Sequence, residues 1–513
     1  MPTRIWKKQK RFVQRVALPA LSLILVAACT RIGTSGAPIQ FRPTADPDVN
    51  FQPARLIAPA PMTLDNPPER PLYTLNVTLD YESGTLHTQE KIEFRNPTGL
   101  AITEIKLNVP PARRAGAIDV RDARIFGQAQ PLTFEMTNTV LTVQLPAPLP
   151  PDAGIALAFD YVLRIPLQET VIGIGGDDSS RGPYSLTAGH WYILLAPWQN
   201  GDWHTPGYVP IGDNYIAEVA DYEVNILAPE GVVVAGAGEE SREGRLWRYS
   251  LPKARVFAFG ASPVYQIDQI EQDGITYIHY TYPQHRQFSE AVLYTAARAV
   301  KLYSELYGPY PYRILRIIET GRTQGQEYSG MVGIGTVLYE GYPGRGARHD
   351  LIATTAHEVA HQWWFHLVGN DQIRSPWLDE SLARMSEMRF YERYYPRDVD
   401  WWYQRYIAAG RLRGSIDLPL SAYPDGRAYI AAVYQRGLVF LRDVRARLGD
   451  TAFDAALRDY AQTLTYEMAT PDDFFNALAR HTSEDLSDLV NGYFAAPPVL
   501  PCRISNNAVG CRR

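Results

Sequence analysis

The chain has 513 residues, 46% of them apolar, enough for at least two cored domains, since single cores rarely grow past ~250–300 residues. Acidic and basic residues nearly balance, 55 against 50, for a formal charge of -5. No basic stripe stands out beyond the N-terminus, which argues against a nucleic-acid partner, and 32 Tyr with 10 Trp argue against disorder.

Lys7, Lys8, Lys10, Arg11 and Arg15 precede an apolar stretch at 16–28. The stretch is shorter than the roughly 20 apolar residues of a membrane span and fits a secretory h-region. It closes on Leu25-Val26-Ala27-Ala28-Cys29, which resembles a bacterial lipobox. A lipoprotein signal peptide is therefore expected over 1–28, with Cys29 lipidated and the chain held on the outer face of a membrane. An ordinary signal peptide and an uncleaved anchor are the alternatives. Two or three acyl chains anchor a protein stably where one does not.

Residues 30–71 carry nine prolines and little periodicity, so 29–71 reads as an extended tether. Alternation begins at Tyr73-Thr74-Leu75-Asn76-Val77, returns at Glu90-Lys91-Ile92-Glu93-Phe94, and recurs over 102–109. Short strands separated by turn residues continue to about Pro263, predicting an antiparallel β domain over 72–263. Gly236-Ala237-Gly238 lacks the third glycine and the following helix of a nucleotide loop, so a hairpin turn is expected there. Gly173 to Gly176 reads as a loop.

Past about Ile275 the pattern changes. Helical spacing covers 288–307, strands are expected at 314–318 and 332–338, and from Asp350 the chain reads almost entirely as helix. The second domain is thus mixed α/β becoming α, over 264–495, and the fold class is multidomain α+β. Within a predicted helix at 350–368, capped by Asp350 and stopped by Gly369-Asn370, stands His357-Glu358-Val359-Ala360-His361. One turn apart on one face, the two imidazoles can reach a single ion. Glu358 points roughly 100° away from His357, free to take a proton from water. Buried without partners, these three polar residues would be costly; a metal removes that cost. Glu380, 19 residues beyond His361, follows Ser375 as a cap and Pro376 as a first helical residue. It can present a carboxylate from a neighbouring helix. His, His and Glu form a catalytic zinc set with an open fourth position.

This pattern resembles the gluzincins. His361-Gln362-Trp363, Trp377-Leu378-Asp379-Glu380 and Tyr307-Gly308-Pro309-Tyr310-Pro311-Tyr312 are similar to the aminopeptidase N / leukotriene hydrolase family. The resemblance implies a saddle-shaped N-terminal β domain, a thermolysin-like catalytic domain, one zinc ion and a peptide substrate cut at its free N-terminus. It implies that Glu327, in Gln324-Gly325-Gln326-Glu327-Tyr328, binds the substrate ammonium. It implies that Tyr434, in Tyr434-Gln435-Arg436-Gly437, donates to the oxyanion, with Tyr429 as a second tyrosine beside it. The family's long C-terminal helical domain has no counterpart, so a more open cleft admitting longer peptides is expected.

A metallo-endopeptidase of the same fold, or an inactive lipid-anchored binding protein, are the other readings. A serine hydrolase is disfavoured, because no G-x-S-x-G elbow is present. The tail, 496–513, holds Cys502 and Cys511, which could close a short disulfide loop in an oxidising compartment or remain free thiols.

Overall fold

A computed structural model of the chain describes residues 62–167, 179–214, 216–408, 410 and 412–498. Cys29, the signal peptide, Gly173 to Gly176, Cys502, Cys511 and all but the last ten residues of the tether lie outside the described residues. The described residues fall within one compact unit, Pro53–Arg513. None of its described helices is long and apolar enough to cross a membrane.

The alternating sequences form strands whose apolar faces are buried. Leu72–Asp80 buries Tyr73, Leu75, Val77 and Leu79 and exposes or half-exposes the residues between. It sits in the middle of a seven-stranded sheet, between Thr85–Arg95 and Ala220–Leu227. The pairing with Thr85–Arg95 is antiparallel, as expected. The pairing with Ala220–Leu227 is parallel, with Leu72 opposite Asp221, so the sheet is mixed. Residues 81–219 separate the two strands, ample chain for the crossover that parallel pairing demands.

The Gly236-Ala237-Gly238 word is also not a hairpin. Val233–Gly236 pairs with Phe259–Ser262 in one sheet, whereas Glu239–Glu243 pairs with Leu246–Ala254 in another. The glycines carry the chain from sheet to sheet. Gly238 holds φ +92, and a Cβ there would lie 2.3 Å from the Ser250 carbonyl oxygen, so no side chain fits.

A third sheet belongs to the catalytic half, in the order Gln266–Gln272, Ile275–Thr281, Ile314–Thr320, Met331–Gly335, Gly325–Tyr328. Helix α1, Ser289–Tyr307, makes the crossover between the parallel strands Ile275–Thr281 and Ile314–Thr320. It buries Val292, Leu293, Ala296, Val300 and Tyr303. Each large apolar side chain so covered stabilises by roughly 1.5–3 kcal/mol. Gly325–Tyr328 lies at the edge of the sheet and packs beside helix α2, Asp350–Ala360. Helix α3, Trp377–Tyr394, also packs against α2.

Helix α2 is shorter than its periodicity predicts. Beyond Ala360 the amides of His366, Leu367 and Val368 bond to the carbonyls of His361, Gln362 and Trp363, five residues back, at 3.0, 3.3 and 2.9 Å. This wide turn leaves the Trp364 carbonyl facing the His361 ring, 2.8 Å from Nδ1. Both expected N-caps also shift by one residue. His349 caps α2 through Nδ1, which accepts the Leu351 amide at 3.2 Å. Asp350 instead receives Arg405 and Tyr406 from a neighbouring segment. Pro376 rather than Ser375 precedes α3.

Candidate active site

Helices α2 and α3 bring three donor atoms together. His357 Nε2 and His361 Nε2 lie 3.3 Å apart, and Glu380 Oε2 lies 3.3 Å from the first and 3.5 Å from the second. Four ligands around zinc at 2.0–2.1 Å are roughly 3.3 Å from one another. The triangle therefore has the edge length of one face of a zinc tetrahedron. Burial alone would raise the Glu380 carboxyl. Hydrogen bonds and charge from His357 and His361 overcome that, holding it far below the usual carboxylate range. Three buried donors converging on one point suit a divalent cation, and the His, His, Glu composition selects zinc.

Each imidazole has an oxygen behind its ring, hydrogen-bonded to His361 and close to His357. His361 Nδ1 faces the Trp364 carbonyl, and His357 Nδ1 lies 3.2 Å from Glu387 Oε2. Glu387 is completely buried and accepts from Trp402 Nε1 and Arg384. The sequence reading passed over it, although it stands seven residues after Glu380, a spacing that returns to the same helix face. Such outer partners set tautomer and ring angle.

Glu358 stands off the donor triangle. Together with Glu327 and His361 it forms a second cluster, one atom from each lying within 4.8 Å of the others. Burial raises the Glu358 carboxyl from its ordinary value. Its carboxylate rests against Gly325 in the edge strand, where a Cβ would be 2.0 Å from Oε1. That glycine is required for space.

Glu327 projects from the same edge strand, Gly325–Tyr328. Burial, reinforced by Asp213, pushes its carboxyl well up. Gln326 Nε2 donates to Oε2 at 3.2 Å and Gln372 Nε2 approaches Oε1 at 3.4 Å. Gln372 also donates to Asp379 at 2.8 Å. Burial and the neighbouring Glu380 push Asp379 up to about 7. Neither Gln372 nor the Asp379 side chain was singled out from sequence; a lone Gln in a loop gives no signal.

Tyr434 donates its hydroxyl to Glu380 Oε1. It lies on a π-helical turn, Ile430–Arg436. Five-residue spacing on that turn keeps Tyr429 beside it, with ring centroids 5.6 Å apart and planes at 87°. Burial and Glu380 raise the Tyr434 hydroxyl well above its ordinary value, so it remains a donor. All the residues expected at the site, His357, Glu358, His361, Glu380, Glu327, Tyr434 and Tyr429, thus occupy one place in the fold.

Residues 335–493 match the peptidase family M1 domain. Over that segment the chain is similar to the M1 peptidases. It is 31% identical over 152 residues to "Probable aminopeptidase 2" of Sulfurisphaera tokodaii, covering 28% of this chain and 19% of that relative. It is 28% identical over 221 residues to aminopeptidase N of Lactobacillus helveticus, covering 39% and 26% respectively. The chain thus spans about a fifth to a quarter of the length of these curated relatives. The M1 zinc metallopeptidase of Deinococcus radiodurans shares the fold, with a TM-score of 0.60 at 17% identity, over 85% of this chain and 97% of that one. A mutant of that M1 enzyme has been solved with the substrate Tyr-Ser-Ala bound.

Proposed function

We propose that the protein is a zinc aminopeptidase that removes residues from the free N-termini of peptides. The observation that carries this reading is the place of Glu327. A carboxylate outside the donor triangle, yet clustered with Glu358 and His361, is positioned to hold an ammonium group beside the reacting bond. The curated aminopeptidases among the relatives and the peptide-bound structural neighbour support the same substrate class.

His357, His361 and Glu380 would hold a zinc ion, which would supply Lewis acidity to a water and to the scissile carbonyl. Glu358 takes the proton of the attacking water and passes it to the leaving amine. Its raised affinity for protons suits both steps. Tyr434 turns its hydroxyl from Glu380 to the developing oxyanion, with Tyr429 packed against its ring. Glu327 fixes the register by gripping the α-ammonium, so cleavage falls one residue in.

Aminoacyl-nitroanilides and their N-acetylated forms test the reading. Hydrolysis of the free-amine substrates alone, abolished by chelator, is expected. Equal cleavage of acetylated peptides would favour the endopeptidase instead. We also propose anchorage through lipidated Cys29, with the folded part carried on the 29–71 tether. Labelled palmitate should enter the wild-type chain in bacteria and not a Cys29→Ser variant; equal labelling of both would remove that proposal.

A further inference from the structure

Arg255 follows directly on the β-domain strand Leu246–Ala254, and its side chain is buried. All of its N–H donors are engaged. Nε donates to the His366 carbonyl at 3.0 Å. Nη2 donates to the Leu367 and Glu467 carbonyls at 3.4 and 2.7 Å. Nη1 donates to the Ala217 carbonyl and to Met468 Sδ, each at 3.1 Å. Of these acceptors only Ala217 belongs to the β domain; the others lie in the catalytic half. Burial lowers the guanidinium to about 10, so it stays charged at neutral pH.

His366 and Leu367 belong to the wide turn that follows the metal helix. Their amides bond back to the His361 and Gln362 carbonyls, and the same turn presents the Trp364 carbonyl to His361 Nδ1. Carbonyls at a helix end lack helical partners; here Arg255 supplies a partner from the other domain. Its main chain adds a second tie. The Arg255 amide donates to Ser329 Oγ at 3.1 Å, and Ser329 Oγ lies 3.0 Å from His366 Nδ1. Ser329 directly follows Gly325–Tyr328, the strand that carries Glu327. Space around the guanidinium is full, for a Cβ at Gly369 would lie 2.3 Å from its Cζ.

We infer that Arg255 is a positioning residue for the metal: it fixes the 361–368 turn and, through the Trp364 carbonyl, the His361 ring, so that the β domain completes the zinc site. Arg255 stands outside the donor triangle and acts only through that turn. The inference concerns the metal and holds whichever peptide is cut.

The test is metal binding by the full chain, read by competition with a chromophoric chelator and by the visible absorption of the cobalt-substituted protein. Arg255→Met leaves the turn without its donors. Gly369→Ala keeps the charge and displaces the guanidinium. Each should weaken zinc about 10–100-fold, the range for an outer partner of a ligand, and shift the cobalt band. Arg255→Lys should restore part of the affinity. Arg316 is the control. It is equally buried and also bridges the two halves, donating to the Gly238 carbonyl and pairing with Glu240. Among the described residues none of its side-chain bonds reaches the turn. Arg316→Met should lower the melting temperature and leave zinc affinity and the cobalt band as they are. Wild-type affinity and band in Gly369→Ala and in Arg255→Met overturn the inference, as does an equal loss of zinc in Arg316→Met. If Arg255→Met does not fold, Gly369→Ala and Arg255→Lys decide. The function reading fails separately, through absence of nitroanilide hydrolysis by the unaltered chain.

Discussion

Tyr434 and the two imidazoles share Glu380 by dividing its oxygens: the histidines meet Oε2, and the phenol donates to Oε1. The hydroxyl is thus held within reach of the reacting group, with a raised affinity for its proton. Tyr434→Phe removes one oxyanion donor and leaves the metal triangle whole. We expect kcat to fall about 10²–10³-fold, with KM little changed and zinc content intact. Steady-state kinetics with elemental analysis checks this; a change confined to KM would place Tyr434 in ground-state binding.

Gly325 and Glu358 offer a sharper test, because the space between them is so small. A methyl at 325 would overlap the Glu358 carboxylate, at 2.0 Å from Oε1. Displacing a proton-transfer group by about 1 Å can cost around 10²-fold. Gly325→Ala should therefore lower kcat by at least tenfold while zinc stays bound. Wild-type turnover in that variant would show that Glu358 works from another position.

Glu387 stands outside the donor triangle, with Oε2 3.2 Å from His357 Nδ1. Glu387→Gln keeps the shape and removes the charge. Zinc affinity should weaken about 10–100-fold, read by competition with a chromophoric chelator. An unchanged affinity would leave His357 positioned by the helix alone.

Stability should depend on pH with two opposite slopes. Burial pushes the Glu90 carboxyl up to about 8. Tyr161 and the Ile193 amide donate to its Oε2 at 2.7 and 3.2 Å, and Oε1 has no partner. Because the folded state holds this proton more tightly than the unfolded chain, its stability is fully present below the ordinary carboxylate range. That stability is lost as pH climbs towards 8. Burial pushes His279 and His366 down to about 3. For these two, stability is present above the ordinary histidine value and falls as pH drops below it. Between pH ~6.5 and ~8 only the Glu90 slope remains among these three, worth roughly 2 kcal/mol. Glu90→Gln should make the fall in melting temperature across that window shallower, measured by calorimetric scans. An equal slope in both proteins would assign it elsewhere.

Legibility from sequence followed the reach of each interaction. The strand at Leu72–Asp80, helix α1 and the His357, Glu358, His361 face are written in local periodicity, and the residues alone predicted them. Glu327 and Tyr434 carried no periodic signal; a family resemblance located them. Glu387 and Gln372 were passed over because their meaning lies in partners 7 to 45 residues away. The helix end at Ala360 was misjudged for a related reason. Trp363 and Leu367 continue the apolar spacing, while the turn is set by the His361 ring and the Trp364 carbonyl.

The parallel register between Leu72 and Asp221 carries a consequence for synthesis. The strand that emerges first from a ribosome or a translocation channel is central, and one of its two neighbours arrives about 150 residues later. Loop-closure entropy is paid before that ladder can form, so the first strand can pair early with Thr85–Arg95 on one side while its other side waits for Ala220–Leu227. Until that strand is delivered, one edge of the first hairpin keeps its backbone donors and acceptors open.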